Sequence, residues 1–146
     1  MKNAKKYLIP SFIVIVALLL VYAIKGIYPF GNVTIANGDM GQSYMTGYYF
    51  MYDVIHGEKS IFYDYNMGMG SNMYGGMVVG GMLNPLNYII LLNSRENIPY
   101  MFSFVLMIKM VCIALSSYFL FNKLFKNNNF YNVIFSVLYA FSGYAL

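Results

Sequence analysis

The run of residues from Tyr7 to Ile24 contains no charged side chain, and it restricts the fold of this chain more than any other feature. A helix needs about 20 apolar residues to cross a bilayer core of roughly 30 Å, with a range that includes this run. Lys25 follows the run, and three lysines precede it (Lys2, Lys5 and Lys6). The pattern predicts an uncleaved anchor over residues 7–25 with a cytoplasmic N-terminus. A cleaved signal peptide has the same basic start and apolar core and is the alternative.

The shortage of charged residues also indicates a bilayer as the solvent. The 146 residues are 60% hydrophobic and 10% charged, whereas soluble domains are about 25% charged. The formal charge of +4 does not indicate nucleic-acid binding, because the basic residues are scattered along the chain rather than gathered in one patch. We therefore expect membrane lipids, and no nucleic acid, among the partners.

Two further apolar segments, 98–121 and 130–146, predict a second and a third span. If residues 98–121 return the chain to the cytoplasm, Lys123 and Lys126 fall on the inner side, as the positive-inside rule requires. Residues 26–97 then form an outer loop, which holds all five acidic residues and many tyrosines suited to the membrane interface. We expect short interfacial or re-entrant helices in this loop, at about residues 41–56 and 75–92. Pro85 interrupts the second of these, and whether residues 77–92 re-enter the membrane stays open.

The fold class predicted from these patterns is all-α, a multi-pass protein of the cell membrane. It has about three transmembrane helices and an extracellular main loop. Because the sequence stops at Leu146, inside an apolar segment, we expect a fragment of a larger helical bundle.

Two ionisable residues occupy unusual positions. Asp39 follows Asn37 and Gly38 just beyond the first span, where it can form a turn or cap a helix. At the edge of a membrane its carboxylate can also act as a base or a metal ligand toward a lipid-linked substrate. Lys109 lies inside the second span, where an ionisable group costs a few kcal/mol and indicates a function or a buried partner. A lipid phosphate, a carboxylate on a neighbouring helix and snorkelling are the alternatives.

Three other patterns give weaker signals. Arg95 precedes the second span and is either an interfacial anchor or a phosphate contact. His56 and Glu58 are interpreted as a solvated turn. A copper(I) site is a third functional hypothesis, because thioethers suit that ion, but no Cys or His joins the methionines (Met69, Met73 and Met77).

Several motifs in succession carry a family resemblance. They are "YPFG" (28–31), Asp39 with Gln42 and Tyr44, "GMGSN" (68–72), "NPLN" (84–87), Lys109 within its span, and "YAFSGYAL" (139–146). In this order they resemble the N-terminal part of the YfhO family of bacterial membrane proteins. The resemblance implies a GT-C-type glycosyltransferase. Such an enzyme passes a sugar from a polyprenyl-phosphate donor to a cell-envelope acceptor, for example lipoteichoic acid in Gram-positive bacteria.

The resemblance also implies roles for individual residues. Asp39 is the expected catalytic base or metal ligand, Gln42 and Tyr44 are expected to position substrate, and Arg95 and Lys109 are expected to neutralise donor phosphate. Many GT-C enzymes have two neighbouring acids early in this loop and this chain has one, so the need for a divalent metal stays open. A non-catalytic membrane subunit, or a component of a lipid or polysaccharide transporter, is the alternative function.

Overall fold

The computed structural model describes residues 4–36, 38, 41, 44–65, 84–125 and 130–142, and no β-strand occurs among them. Five α-helices lie in these ranges: α1 (Ala4–Lys25), α2 (Met45–Ile55), α3 (Tyr88–Leu91), α4 (Ile98–Phe125) and α5 (Phe130–Ala140). Two 3₁₀ turns, Pro85–Asn87 and Arg95–Asn97, precede α3 and α4. The predicted all-α fold is therefore confirmed.

Two of these helices are long and apolar enough to cross a membrane. The segments that meet this test are Leu8–Lys25, in α1, and Arg95–Phe125, which includes all of α4. At 1.5 Å per residue α1 is roughly 33 Å long and α4 roughly 42 Å, which matches or exceeds the hydrocarbon core. Helix α5 is apolar but has 11 residues. The third span over residues 130–146 thus stays a prediction.

The chain divides into two compact units. The membrane unit comprises residues 1–32 and 106–146, and the loop unit comprises residues 33–105. The first two turns of α4 belong to the loop unit, and the remainder of that helix belongs to the membrane unit.

The membrane unit has an apolar core and an apolar exterior. Val14 and Leu18, one turn apart on α1, pack with Met110 and Ala114 of α4 and with Ala140 of α5. Large apolar side chains are also exposed on all three helices (among them Phe12, Leu20, Phe119, Leu124, Phe130 and Leu138). A helix that is apolar on every side suits a lipid environment better than water.

Glycine ends α1 and shapes the turn that follows it. Gly26 has φ +64°, and the N–H of Ile27 donates to the carbonyl of Tyr22 at 2.9 Å. This bond and a positive φ at the first residue past the helix form a Schellman cap. A Cβ on Gly31 would lie 2.4 Å from the carbonyl oxygen of Gly26, so the turn "YPFG" requires glycine at its last position. The peptide bond between Tyr28 and Pro29 is cis.

The loop unit has its own hydrophobic core. Tyr48 of α2 packs edge-on against Phe102 of α4, with ring centroids 4.9 Å apart, and Met51 and Ile90 are buried in the same cluster. The hydroxyl of Thr34 donates to the carbonyl of Pro99 at 2.8 Å. The segment that leads toward Asp39 in the sequence is thereby fixed to the first turn of α4.

The predicted short helices of the loop agree with the structure as far as it extends. Helix α2 lies within the predicted range 41–56. Of the range 75–92, residues 75–83 lie outside the described part of the chain. In the remainder, Asn84 caps the 3₁₀ turn through a bond from the N–H of Leu86 to its side-chain oxygen at 3.0 Å. Pro85 occupies the start of that turn, where its missing N–H is not needed.

Candidate functional site

The predicted site residues around Asp39 are only partly described. Asp39 and Gln42, together with the Met and Gly motif over residues 68–82, lie outside the described residues. Tyr44 directly precedes α2, and its side chain is 43% exposed. This position at the surface is compatible with contact to a ligand, and the role of Tyr44 in positioning substrate stays a prediction.

Arg95 has a partner that its sequence position did not indicate. Its Nε donates to Oδ1 of Asp53 at 3.0 Å, and a terminal nitrogen lies 3.5 Å from Oδ2 of the same carboxylate. The guanidinium also lies over the ring of Tyr49, 4.9 Å from the centroid. Helix α2 places Tyr49 and Asp53 one turn apart on one face, so both reach the same arginine.

Lys59 extends this contact into a network. Its Nζ lies 3.6 Å from Oδ2 of Asp53 and 3.1 Å from Oδ2 of Asp64. The hydrogen bond to Asp64 raises the pKa of Lys59, and the negative charges of Asp64 and Asp53 add to that effect. Lys59 is therefore a firmly charged ammonium group at neutral pH.

The network buries its anions and exposes its cations. The side chains of Asp53 and Asp64 are 6% and 7% exposed, whereas those of Lys59 and Arg95 are 34% and 55% exposed. Buried carboxylates need such partners, because an unpaired buried charge is costly. The charged side chains of the network that reach the surface are thus its two cations, and each of them is already paired with a buried carboxylate.

Sequence reasoning missed three members of this network: Asp53, Lys59 and Asp64. The available signal was the spacing of Asp53 behind Tyr49 on a predicted helix, but nothing local connects it to an arginine 42 residues away. The interpretation of His56 and Glu58 as a solvated turn agrees with the structure, where both side chains are exposed. The ring of His56 stacks on Tyr52 at 4.0 Å.

Lys109 lies in the interior of α4, in the membrane unit, and is half-buried. All five acidic residues of the chain fall between Asp39 and Glu96 in the sequence, so the membrane unit contains no aspartate or glutamate. One alternative for Lys109, a carboxylate on a neighbouring helix, is thus absent from its own unit.

A metal site finds no support among the described residues. No group of three His, Cys, Asp or Glu side chains in these ranges is arranged to hold an ion. The network of Asp53 and Asp64 is already neutralised by Lys59 and Arg95. The role of Asp39 as a metal ligand stays a prediction.

Two membrane-length helices and the apolar exterior of the membrane unit are typical of a helical membrane protein. The sequence model of the family described as "Bacterial membrane protein YfhO" matches residues 11–146. The chain therefore belongs to the YfhO family, as its motifs predicted. Among curated proteins and among solved structures, no match to the chain was found.

Proposed function

We propose that the chain forms the N-terminal portion of a membrane glycosyltransferase of the GT-C type. Its donor is a sugar carried on polyprenyl phosphate, and its acceptor is a cell-envelope polymer such as lipoteichoic acid. The observation that carries the proposal is the network in the loop unit, where buried Asp53 fixes Arg95 with its outer N–H donors exposed. Such a group is suited to a phosphorylated ligand, and membership of a membrane protein family agrees with a lipid-linked one.

In this proposal Asp39 is the catalytic base. Its carboxylate takes the proton of an acceptor hydroxyl as that oxygen bonds to the anomeric carbon of the sugar. The bond between that carbon and the phosphate oxygen breaks, and polyprenyl phosphate leaves with the electron pair. Gln42 and Tyr44 position the substrate. As the resemblance implies, Arg95 and Lys109 are assigned the neutralisation of negative charge on the donor phosphate.

The test is sugar transfer in membranes that contain the full-length protein, comparing D39N with E58Q. Both substitutions neutralise one carboxylate of the loop, and Glu58 is exposed and lies outside the proposed machinery. We expect D39N to abolish transfer at unchanged membrane abundance and E58Q to retain it. Transfer by D39N would remove the catalytic role of Asp39.

If the unmodified protein does not transfer sugar, the proposed glycosyltransferase activity is wrong. It would favour the alternative, a non-catalytic membrane subunit or transporter component. That alternative predicts that Lys109 is needed for transport or partner association, while Asp39 tolerates substitution.

A further inference from the structure

Residues 60–65 of the loop unit, which we call the aromatic segment, expose three aromatic side chains at neighbouring positions. Phe62, Tyr63 and Tyr65 are 68%, 46% and 80% exposed. The rings of Tyr63 and Tyr65 pack edge-on with their centroids 4.9 Å apart, so these two side chains hold each other in place. Exposed apolar residues scattered singly are ordinary on a protein surface, whereas adjacent exposed aromatic rings indicate an interaction site.

The one charged residue in the sequence of this segment, Asp64, is turned away from the aromatic surface. Its side chain is 7% exposed and accepts a hydrogen bond from Nζ of Lys59 at 3.1 Å. The ammonium group of Lys59 also lies over the buried ring of Phe50, 5.6 Å from the centroid. The ion pair thus fixes the aromatic segment to the loop unit with its carboxylate buried and its aromatic rings exposed.

We propose that the aromatic segment is a contact with the bilayer surface, in which the rings of Phe62, Tyr63 and Tyr65 lie at the level of the lipid headgroups. Tyrosine is enriched at that level because its ring is apolar and its hydroxyl is polar. The chain enters the loop unit shortly after α1 and leaves it within α4, and both helices are long enough to cross a membrane. Such a tether to the bilayer makes even a weak contact with lipid effective. The contact goes beyond the proposed function and does not depend on sugar transfer.

A saccharide is another ligand that stacks on aromatic rings, but the polar groups near these rings favour the lipid. A sugar site needs polar groups placed around the ring to fix the orientation of the ligand. Here Lys59 and Asp64 bind each other, and Oγ of Ser60 accepts a hydrogen bond from the N–H of Phe62 at 3.3 Å. Because these groups are engaged within the loop unit while the rings are exposed, the surface suits a partner that offers apolar and interfacial contacts.

The test uses tryptophan fluorescence as a local reporter, because the chain contains no tryptophan of its own. F62W and Y65W each replace one exposed aromatic side chain by another, so the core of the loop unit should stay intact. In nanodiscs that contain the full chain and lipids brominated at the headgroup end of their acyl chains, we expect both tryptophans to be quenched. H56W is the matched control, because His56 is exposed on the solvated turn that precedes Lys59. We expect H56W to be quenched by iodide in solution and not by the brominated lipid.

A charge added to the aromatic segment tests the same contact in a second way. Y65E combined with F62W should lower the quenching by brominated lipid toward that of H56W, because a carboxylate is costly to remove from water. H56E combined with F62W adds the same charge outside the segment and should leave the quenching unchanged. Since Phe62 and Tyr65 report independently, one of them still tests the proposal if the other variant does not fold.

The proposal is wrong if brominated lipid quenches F62W and Y65W no more than it quenches H56W. If a soluble saccharide then shields these tryptophans from iodide, the surface binds carbohydrate instead of lipid. The expected quenching is independent of ionic strength, because the exposed surface of the segment consists of uncharged rings. Quenching that requires anionic lipids and disappears at high salt would also overturn the proposal, since it would assign the contact to the charge of Lys59.

Discussion

The substitution D53N tests whether the buried carboxylate organises the loop unit. Asp53 accepts a hydrogen bond from Nε of Arg95 at 3.0 Å, and its carboxylate lies 3.6 Å from the ammonium nitrogen of Lys59. Asparagine has nearly the same size and can still accept one hydrogen bond. The substitution therefore removes the charge and leaves the packing of α2 in place.

The loss of stability expected for D53N depends on how deeply Asp53 and Arg95 are buried. Removing one member of a fully buried ion pair costs about 3–5 kcal/mol, and an exposed pair contributes about 0–1 kcal/mol. Asp53 is 6% exposed, but Arg95 is 55% exposed and regains water when its partner is neutral. We therefore expect D53N to destabilise α2 by about 1–3 kcal/mol, the range for a buried polar group that loses a hydrogen-bond partner.

Hydrogen exchange of the full chain in nanodiscs measures this cost locally. A loss of 1–3 kcal/mol corresponds to an increase of roughly 5–150-fold in the opening of α2. Amides of α1 serve as the internal reference. E58Q is the matched control, because Glu58 is exposed and its charge also acts on Arg95. We expect E58Q to change the free energy of opening of α2, obtained from hydrogen exchange, by less than about 0.5 kcal/mol.

The double substitution D53N with R95Q completes the test. If the two side chains act through each other, the cost of the double substitution should differ from the sum of the two single costs by about 0.5–3 kcal/mol. Unchanged exchange of α2 in D53N, or the same change in α1, would refute the reasoning. If the cost of the double substitution equals the sum of the single costs, Asp53 stabilises the loop unit through groups other than Arg95.

Three further outcomes are expected. G31A should destabilise the fold by about 1–3 kcal/mol in thermal unfolding, because its Cβ would lie 2.4 Å from the carbonyl oxygen of Gly26. G26A should be destabilising only through the strain of an alanine at positive φ, because its Cβ would meet no atom within 4 Å. Burial, with a smaller effect from the charge of a neighbouring tyrosine, raises the pKa of Tyr48 to about 12. Since the folded state favours the neutral phenol of Tyr48, the free energy of unfolding should fall as pH rises from about 10 toward that value. Y48F should remove this dependence on pH, as measured by unfolding at a series of pH values. N132V should weaken the membrane unit by about 0.6–1.7 kcal/mol in detergent unfolding, because Asn132 donates to Asn122 at 2.7 Å.

The helices were predictable from sequence because their signals are local. An uncharged run of membrane length needs no tertiary information, and α1 ends at Lys25 as predicted. Helix α4 (Ile98–Phe125) includes the predicted span 98–121, and the bounds of the span stay a prediction. The last turn, "NKLF" (122–125), contains the helix formers Lys123 and Leu124 and no Gly or Pro. Hydropathy detects the apolar part of a helix and not its polar last turn.

The network in the loop unit was not predictable, because its partners are far apart in the sequence. Asp53 and Arg95 are separated by 42 residues, and their contact depends on how α2 packs against the start of α4. A lone aspartate on a short helix looks like a solvated residue unless its burial is known. The burial of Asp64 was equally hidden, because the residues on either side of it, Tyr63 and Tyr65, are exposed.

The contact between Asp53 and Arg95 refines the sequence prediction for Arg95. The sequence offered two roles, an interfacial anchor or a phosphate contact, and the structure makes them compatible. A guanidinium has five N–H donors, and Asp53 engages Nε and one terminal nitrogen. The remaining donors belong to a side chain that is 55% exposed, so a ligand can approach while the arginine stays fixed. Fixing such a group before the ligand arrives lowers the entropy cost of binding. If Arg95 contacts the donor phosphate as we propose, R95K should therefore weaken phosphate binding even though it keeps the charge, because an ammonium cannot bridge Asp53 and the ligand with a planar fork.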